Sequence, residues 1–360
     1  MKKICSVVGA RPQFIKLAVV SRVLRKEFQE VLIHTGQHYD HNMSDVFFEE
    51  MDIPKPDYNL GISGGSHGKM TGEMLEKLEE VFMKEAPDMV LVFGDTNSTM
   101  AAALAAVKLH IPICHVEAGN RLGTLESPEE VNRIVTDHVS SLHLVCTPSG
   151  VEFLRREGFQ DSVVLVGDPM YDAFCYYTRQ LDGSELAGIV DFQGTPLEVP
   201  AKFYYLTCHR QENTDTDENL RGIFDAMEAL DAPVIYPVHP RNHARAERFC
   251  SQRAYRNLLL TQPMGYQTSI SLVNRAEKIV TDSGGVQREA FFAKKPCVTV
   301  LDYVGWPETM VNGYNQLARP EKADILEKLS RPVTFDPAYQ PFGDGHSAEK
   351  IVSEIRKFLQ

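Results

Sequence analysis

Residues 278–290 read Lys278-Ile279-Val280-Thr281-Asp282-Ser283-Gly284-Gly285-Val286-Gln287-Arg288-Glu289-Ala290. Ile279, Val280 and Thr281 form a short β-branched run of the kind that fills a buried strand. Asp282 and Ser283 follow as N-cap residues, and a helical pattern begins after the two glycines. Strand, glycine turn and helix start together make an anion site. The first helical amides lack intrahelical partners and face outward with the positive end of the helix dipole. Gly284 and Gly285 let a phosphate approach the backbone without a Cβ in the way. Glu289 lies one helical turn further on, where a carboxylate can accept both hydroxyls of a ribose. The same letters also suit an ordinary tight strand–helix turn of an α/β protein. They are not a P-loop, since no Gly-Lys-Ser/Thr follows, nor a dinucleotide fingerprint, since Gly-x-Gly-x-x-Gly is missing.

The same strand-then-helix unit recurs outward from this stretch. Apolar runs predict strands at Ile4–Val8, Val31–Thr35, Met89–Phe93, Ile113–Val116, Leu142–Cys146 and Val163–Val166. The alternation pauses at Gly167-Asp168-Pro169, and Leu181–Pro200 reads as a surface loop rich in Gly, Pro and acidic residues. It then restarts with strands at Phe203–Thr207, Val234–Pro237, Leu258–Thr261, Lys278–Thr281 and Pro296–Val300. Near-continuous apolar strands separated by amphipathic helices predict parallel sheets covered on both faces. The expectation is an α/β chain of two Rossmann-like halves, 1–168 and 169–345, with an amphipathic helix over 346–360 crossing back to the first. In open α/β sheets ligands bind at the carboxyl ends of the strands, so two such halves would gather those ends around a central cleft.

Composition narrows the partners. A chain of 360 residues suits two domains of ordinary size, and 43% apolar with 24% charged residues is a soluble globular composition. The net charge of −12 argues against a nucleic-acid or anionic-membrane partner. An acidic protein that binds an anion must concentrate its cations locally. The seven cysteines are spread without Cys-x-x-Cys, the pattern of reduced thiols in a cytoplasmic protein. Neither a signal peptide nor an apolar run of roughly 18 residues is expected.

Charged residues cluster at the predicted strand ends. Gly9-Ala10-Arg11-Pro12 with Lys16 offers two cations beside a proline-started helix, either a pyrophosphate clamp or a basic solvated turn. Asp95 follows the third strand and could equally be an Asx-turn residue. Glu117 ends the fourth, with Arg121 as its charge partner; a carboxylate there needs compensation. Ser127-Pro128-Glu129-Glu130-Val131-Asn132-Arg133 resembles a helix N-terminus with acids in its first turn. In the second half, Cys208-His209-Arg210 and Val238-His239-Pro240 place histidines at strand ends, where they can bind an anion and move a proton or simply be satisfied core residues. His34/His38 and His239/His243 have His-x-x-x-His spacing, but each pair spans a Gly or Pro at a strand end and not a helix face. No metal site is therefore expected. A Gly-x-Ser-x-Gly hydrolase elbow is also missing.

Taken together, Gly-Ala-Arg-Pro-Gln-Phe-Ile-Lys, Thr-Gly-Gln-His, Gly-Asp-Thr-Asn-Ser-Thr, His-Val-Glu-Ala-Gly-x-Arg, Pro-Glu-Glu-Val-Asn-Arg, His-Arg-x-Glu-Asn, Pro-Val-His-Pro and Thr-Asp-Ser-Gly-Gly-Val-Gln-x-Glu resemble the non-hydrolysing UDP-N-acetylglucosamine 2-epimerases, in order from about residue 4 to 345. The resemblance implies a GT-B fold, a homodimer, a UDP-sugar substrate and no metal or nicotinamide. It implies elimination of UDP across C1–C2 to a bound 2-acetamidoglucal, then re-addition with protonation of the other face. It assigns Asp95, Glu117 and Glu129 as acid/base groups, and His209, with Arg210, as a catalytic group acting near the diphosphate. Arg11, Ser283, Gly284, Gly285 and Glu289 resemble UDP-binding positions. Gln37 and His38 resemble contacts to a second, activating UDP-sugar. Lys16 and His239 join the substrate-binding set by their place at the strand ends.

Two departures stand out. Many bacterial members read Ser-Pro-Trp-Pro-Glu-Glu where this chain has Ser127-Pro128-Glu129-Glu130. Their arginine-bearing Arg-x-x-Thr-Glu-Arg-Pro-Glu is here Leu301-Asp302-Tyr303-Val304-Gly305-Trp306-Pro307-Glu308. These leave open an epimerase of a modified UDP-amino sugar. A hydrolysing relative that releases ManNAc and UDP, a GT-B glycosyltransferase and a nucleotide-sugar sensor are the other readings.

Overall fold

Seven parallel strands build the first sheet: β1 (Lys3–Val8), β2 (Gln29–His34), β3 (Tyr58–Asn59), β4 (Met89–Phe93), β5 (Ile113–Ala118), β6 (Leu142–Val145) and β7 (Val163–Leu165), in the order β3-β2-β1-β4-β5-β6-β7. They belong to a computed structural model that describes residues 1–37, 47–239, 242–253 and 255–360. Met89–Phe93 reads Met-Val-Leu-Val-Phe and is buried throughout, as a central parallel strand covered on both faces must be. The helix Asn97–Lys108 buries five alanines, Ala101, Ala102, Ala103, Ala105 and Ala106, whose small side chains let it lie close to the sheet. With Val7, Val92, Leu78 and Phe82 they form one apolar core. Each large aliphatic side chain buried there contributes about 1.5–3 kcal/mol.

The second sheet is also parallel. It contains β8 (Tyr204–Thr207), β9 (Val234–Pro237), β10 (Leu258–Thr261), β11 (Ile279–Thr281), β12 (Cys297–Thr299) and β13 (Asn315–Leu317), ordered β10-β9-β8-β11-β12-β13. Its core gathers Leu206, Tyr236, Val280 and Val298 from the strands with Phe224, Met227 and Phe249 from the helices.

The chain divides into two units, Met1–Cys175 with Gln340–Gln360, and Tyr176–Tyr339. The division falls inside the helix Pro169–Thr178, whereas the sequence expectation placed it at that helix's start. The C-terminal helix Ser347–Leu359 belongs to the first unit. It buries Ile351, Val352 and Ile355, packs on the helix Arg11–Leu24, and sets Arg356 Nη1 3.4 Å from Glu27. Its own N-cap, His346, makes no capping bond. Asp172 does that work from elsewhere: its Oδ2 accepts from the Ala348 amide at 2.7 Å. Burial of Asp172 raises its pKa, only partly offset by these amides.

The predicted strands all form, within a residue or two at their ends. Two further strands, β3 and β13, were missed. Tyr58-Asn59 and Asn315-Gln316-Leu317 are short, partly polar edge strands without an apolar run. All seven cysteines are free. Among the described residues no helix is long and apolar enough to cross a membrane.

Candidate active site

Both sheets reverse the direction of strand addition once, between β1 and β4 and between β8 and β11. Such switch points open a crevice at the carboxyl ends of the strands. The candidate residues of each unit fall there.

In the first unit, Gly9 to Arg11 leave β1, Gly94-Asp95 leave β4, and Glu117 sits near the end of β5. Glu117 has a φ of 70°, and the β5–β6 register shifts between Val116 and Ala118. A left-handed non-glycine residue costs about 1–2 kcal/mol and redirects its side chain out of the pleat. That side chain meets Lys16: Nζ lies 2.6 Å from Glu117 Oε2, and the lysine side chain is 2% exposed. Gly94 makes room for the pair, since a Cβ there would stand 3.2 Å from Lys16 Nζ and 3.4 Å from Glu117 Oε1. Lys16 was expected beside a diphosphate with Arg11; its ammonium is instead committed to a buried carboxylate. Arg11 remains half-buried at the helix start, its guanidinium 4.4 Å from the Phe47 ring centroid.

Cys146 and Asp168 complete this pocket. A ligand atom of each lies within 4.8 Å of the others and of Glu117, and all three side chains are buried. The trio could hold a metal ion, although Lys16 already supplies a cation to its glutamate. Asp168 accepts from the Met170 amide at 2.8 Å.

Asp95 is held from the helix Pro128–Val139. Arg133 Nη2 is 2.5 Å from Asp95 Oδ2, and Asn132 Nδ2 donates to the Asp95 carbonyl at 2.9 Å. Glu129 and Glu130, side by side in that helix's first turn, have different lives. Glu130 is buried and accepts from the Leu122 and Gly123 amides and from Arg133 Nη1, so it is a brace. Glu129 is half-buried and accepts from Ser127 Oγ at 2.6 Å.

Beside them lies a charge network centred on the fully buried His115 and Asp137. His115 places Nδ1 2.7 Å from Asp137 Oδ1 and Nε2 2.7 Å from the Gly94 carbonyl, fixing the strand end that carries Asp95. Arg121 was expected to pair with Glu117. It binds Asp137 Oδ2 at 2.7 Å and grips Glu157 with Nε and Nη2, both at 2.7 Å. Burial works against ionisation of Asp137, but His115 and Arg121 outweigh it and hold the carboxyl down at about 2.

In the second unit, Ser283 caps the helix Gly284–Phe292, accepting from the Val286 amide. Asp282 is not the second cap. Its carboxylate turns to the neighbouring strand end and accepts from the His209 and Arg210 amides, both at 2.9 Å, and from Asn213 Nδ2 at 3.2 Å. Its Oδ1 lies 3.0 Å from His209 Nδ1. Arg210 Nε donates to the Asp282 carbonyl, and its guanidinium stands 5.6 Å from the Tyr303 ring. His239 is exposed, with its ring 6.0 Å from that of His209. Trp306 lies over the glycine turn: a Cβ on Gly284 would be 3.4 Å from its Nε1, and Arg288 stacks on it at 4.0 Å. Gly285 is in the helix's first turn, and Glu289 is buried one turn up.

Gln37 accepts from Ser98 N at 3.2 Å and Ser98 Oγ at 2.7 Å, which ties it to the start of the helix Asn97–Lys108. His38 lies outside the described residues. The residues that sequence reasoning left without a role are Arg133, Asp137, Asp168, Cys146 and Asp282. Arg133 and Asp282 stood in quoted motifs, Asp282 being read as a cap; the others gave no spacing signal.

Comparison with known proteins agrees with this architecture. Residues 22–356 match the family described as UDP-N-acetylglucosamine 2-epimerase. A "UDP-N-acetylglucosamine 2-epimerase homolog" of Methanococcus maripaludis is 47% identical, covering 98% of this chain and 99% of its own. The UDP-2,3-diacetamido-2,3-dideoxy-D-glucuronate 2-epimerase of Pseudomonas aeruginosa is 42% identical over 99% of both. A crystal structure of Methanocaldococcus jannaschii UDP-GlcNAc 2-epimerase in complex with UDP-GlcNAc and UDP superposes with a TM-score of 0.89 at 37% identity, covering 99% of each chain. Two parallel α/β units, switch-point acids and a family match over nearly the whole chain converge: the protein belongs to the UDP-N-acetylglucosamine 2-epimerase family.

Proposed function

We propose that this chain interconverts UDP-N-acetylglucosamine and UDP-N-acetylmannosamine by inverting C2. The carrying observation is that Asp95 and Glu117 stand at the carboxyl ends of adjacent parallel strands and each has its own cation, Arg133 and Lys16. Carboxylates held in this way can act separately, one taking the C2 proton and another returning it to the opposite face. Glu129, in the first turn of the helix that carries Arg133, is the third acid/base group. In the forward step the C2–H and C1–O bonds break, a C1–C2 double bond forms and UDP leaves. In the return the proton reaches the other face of C2 and the C1–O bond re-forms. The sum is an isomerisation, redox-neutral, so its atoms balance without a co-reactant.

Departure of a diphosphate is assisted by preorganised positive charge. The UDP-binding groups in this reading are Arg11, Arg210, His239 and the Ser283-Gly284-Gly285 helix start, with Glu289 on the ribose. His209 accompanies the diphosphate. Gln37 is the candidate contact to a second, activating UDP-sugar. A cytoplasmic homodimer is the assembly proposed.

The runner-up is C2 epimerisation of a more highly substituted UDP-amino sugar. It is favoured by the 42% identity to the Pseudomonas enzyme, against 38% to the UDP-N-acetylglucosamine 2-epimerase of M. jannaschii. Incubation with UDP-GlcNAc in deuterated water, followed by NMR, tests the main reading. Deuterium at C2 of intact UDP-sugars supports it, free ManNAc points to the hydrolysing reaction, and unchanged UDP-GlcNAc moves the search to substituted sugars.

A further inference from the structure

We infer that Asp282 is a positioning residue for the proposed reaction: it fixes His209 with Nδ1–H toward the carboxylate and leaves the Nε2 lone pair as the working end of the ring. This rests on the functional reading above only for the reaction that His209 serves.

The geometry is specific. Asp282 Oδ2 is fully occupied by three donors, the His209 and Arg210 amides and Asn213 Nδ2. Oδ1 receives a longer contact from the His209 amide at 3.1 Å and faces His209 Nδ1 at 3.0 Å. The Asp282 side chain is 1% exposed, whereas the His209 side chain is 42% exposed. A carboxylate with only acceptor capacity requires a proton on the nitrogen it faces. The other nitrogen, Nε2, is therefore the acceptor of the neutral ring. The tautomer of a histidine is set by the bond its other nitrogen makes.

The placement gives this consequence. Asp282 immediately precedes Ser283, which caps the helix proposed to receive the diphosphate. Thr281 and Thr207 are register partners on adjacent strands, so His209 and the glycine turn emerge side by side. Among the described residues, Asp282, Arg210, whose Nε is held by the Asp282 carbonyl, and His239, whose ring lies 6.0 Å away, are charged or titratable groups near the ring. One buried aspartate thus holds the imidazole, the arginine beside it and the entry to the anion turn in a single register.

Asp282→Asn separates this role from simple loop bracing. The amide oxygen can occupy the Oδ2 position and keep the backbone donors, while the amide NH2 faces His209 Nδ1 and donates to it. The ring contact reverses its polarity, and the His209 amide keeps its 2.9 Å bond to the Oδ2 position while losing the longer one to Oδ1. Histidine 15N NMR on the full-length protein, at a pH where the ring is neutral and with His209→Asn for assignment, reads the tautomer. The expected result is Nδ1–H in the wild type and Nε2–H in Asp282→Asn. C2 deuteration should fall at least about tenfold in the variant while its thermal melt stays near wild type. A wild-type ring in the Nε2–H form, or a tautomer unmoved by the substitution, overturns the inference. So does a variant with an inverted tautomer and undiminished C2 exchange. Should the variant fail to fold, the wild-type spectrum alone decides the geometry. A wild type with the expected tautomer but no C2 exchange on any UDP-amino sugar fails the functional reading and leaves the His209–Asp282 arrangement standing.

Discussion

Lys16 Nζ lies 2.6 Å from Glu117 Oε2, with both side chains buried beneath Gly94. Breaking a buried pair by removing one partner strands the other charge, at a cost of roughly 3–5 kcal/mol. Lys16→Met should therefore lower the melting temperature and abolish turnover together. Adding Glu117→Gln should recover much of the stability and none of the turnover. Thermal melts of the two single variants and the double variant give the coupling directly; additive losses would remove the pair from the account.

The acids and the cation at the mouth should separate in kinetics. Asp95→Asn, Glu117→Gln and Glu129→Gln each keep shape while removing a proton-transfer group, and each should lower kcat by about 10²–10⁴-fold with UDP affinity little changed. Arg11→Ala should do the reverse to binding, weakening UDP by about 1.5–3 kcal/mol. Rapid-quench turnover and titration calorimetry on the same four variants check both halves. Three amide variants working at near wild-type rate would reduce these acids to caps and ion-pair partners.

Acid stability should report Asp137. Its folded-state pKa, held at about 2 against an ordinary 3.8, is depressed, so its contribution is present above the unfolded value and is lost as pH falls from near 4 toward 2. The contribution is on the order of 2 kcal/mol. Denaturant unfolding at stepped pH should show this loss in the wild type and a flatter acid limb in Asp137→Asn, whose stability at neutral pH should already be lower because His115 and Arg121 lose their carboxylate.

Asp172 should behave in the opposite sense. Its raised pKa means that ionisation costs stability, so the contribution present at low pH fades as pH rises through the folded value. Asp172→Asn keeps an acceptor for the Ala348 amide and removes the charge. It should be at least as stable as wild type at pH 8, measured by chemical denaturation; a large loss would show that the ionised carboxylate itself is needed.

Chelation gives a further check. Glu117, Cys146 and Asp168 bring donors within 4.8 Å, but Lys16 is already paired with the glutamate. Turnover should survive exhaustive treatment with EDTA. Loss on chelation and recovery with a divalent ion would mean that the lysine yields its place to a metal.

Much of this was legible because parallel α/β chains write their functional residues immediately after apolar runs. Arg11, Asp95, Glu117, His209 and Ser283 could each be read at a strand end. Their partners could not. Arg133 Nη2 reaches Asp95 from 38 residues away, and His209 meets Asp282 across 73. Contacts of that span are set by which strands become neighbours, and a single sequence does not display strand order. Proximity also misled: Arg121 stands four residues after Glu117 yet turns to Asp137 and Glu157, because Glu117's left-handed backbone points its carboxylate the other way. Tyr58-Asn59 and Asn315-Gln316-Leu317 pair only at sheet edges, where neither hydrophobicity nor alternation is demanded.

The Asp172–Ala348 bond joins positions 176 residues apart, and the unit it closes is interrupted by the whole of Tyr176–Tyr339. During synthesis the inserted unit is complete in sequence before the first unit can be finished. Until residues 340–360 have left the ribosome, the helix Arg11–Leu24 has no Ile351, Val352 or Ile355 to pack on its outer side. That is the helix that delivers Lys16 to Glu117. The order of translation therefore ties completion of the packing around the first acid–cation pair to the arrival of the helix Ser347–Leu359.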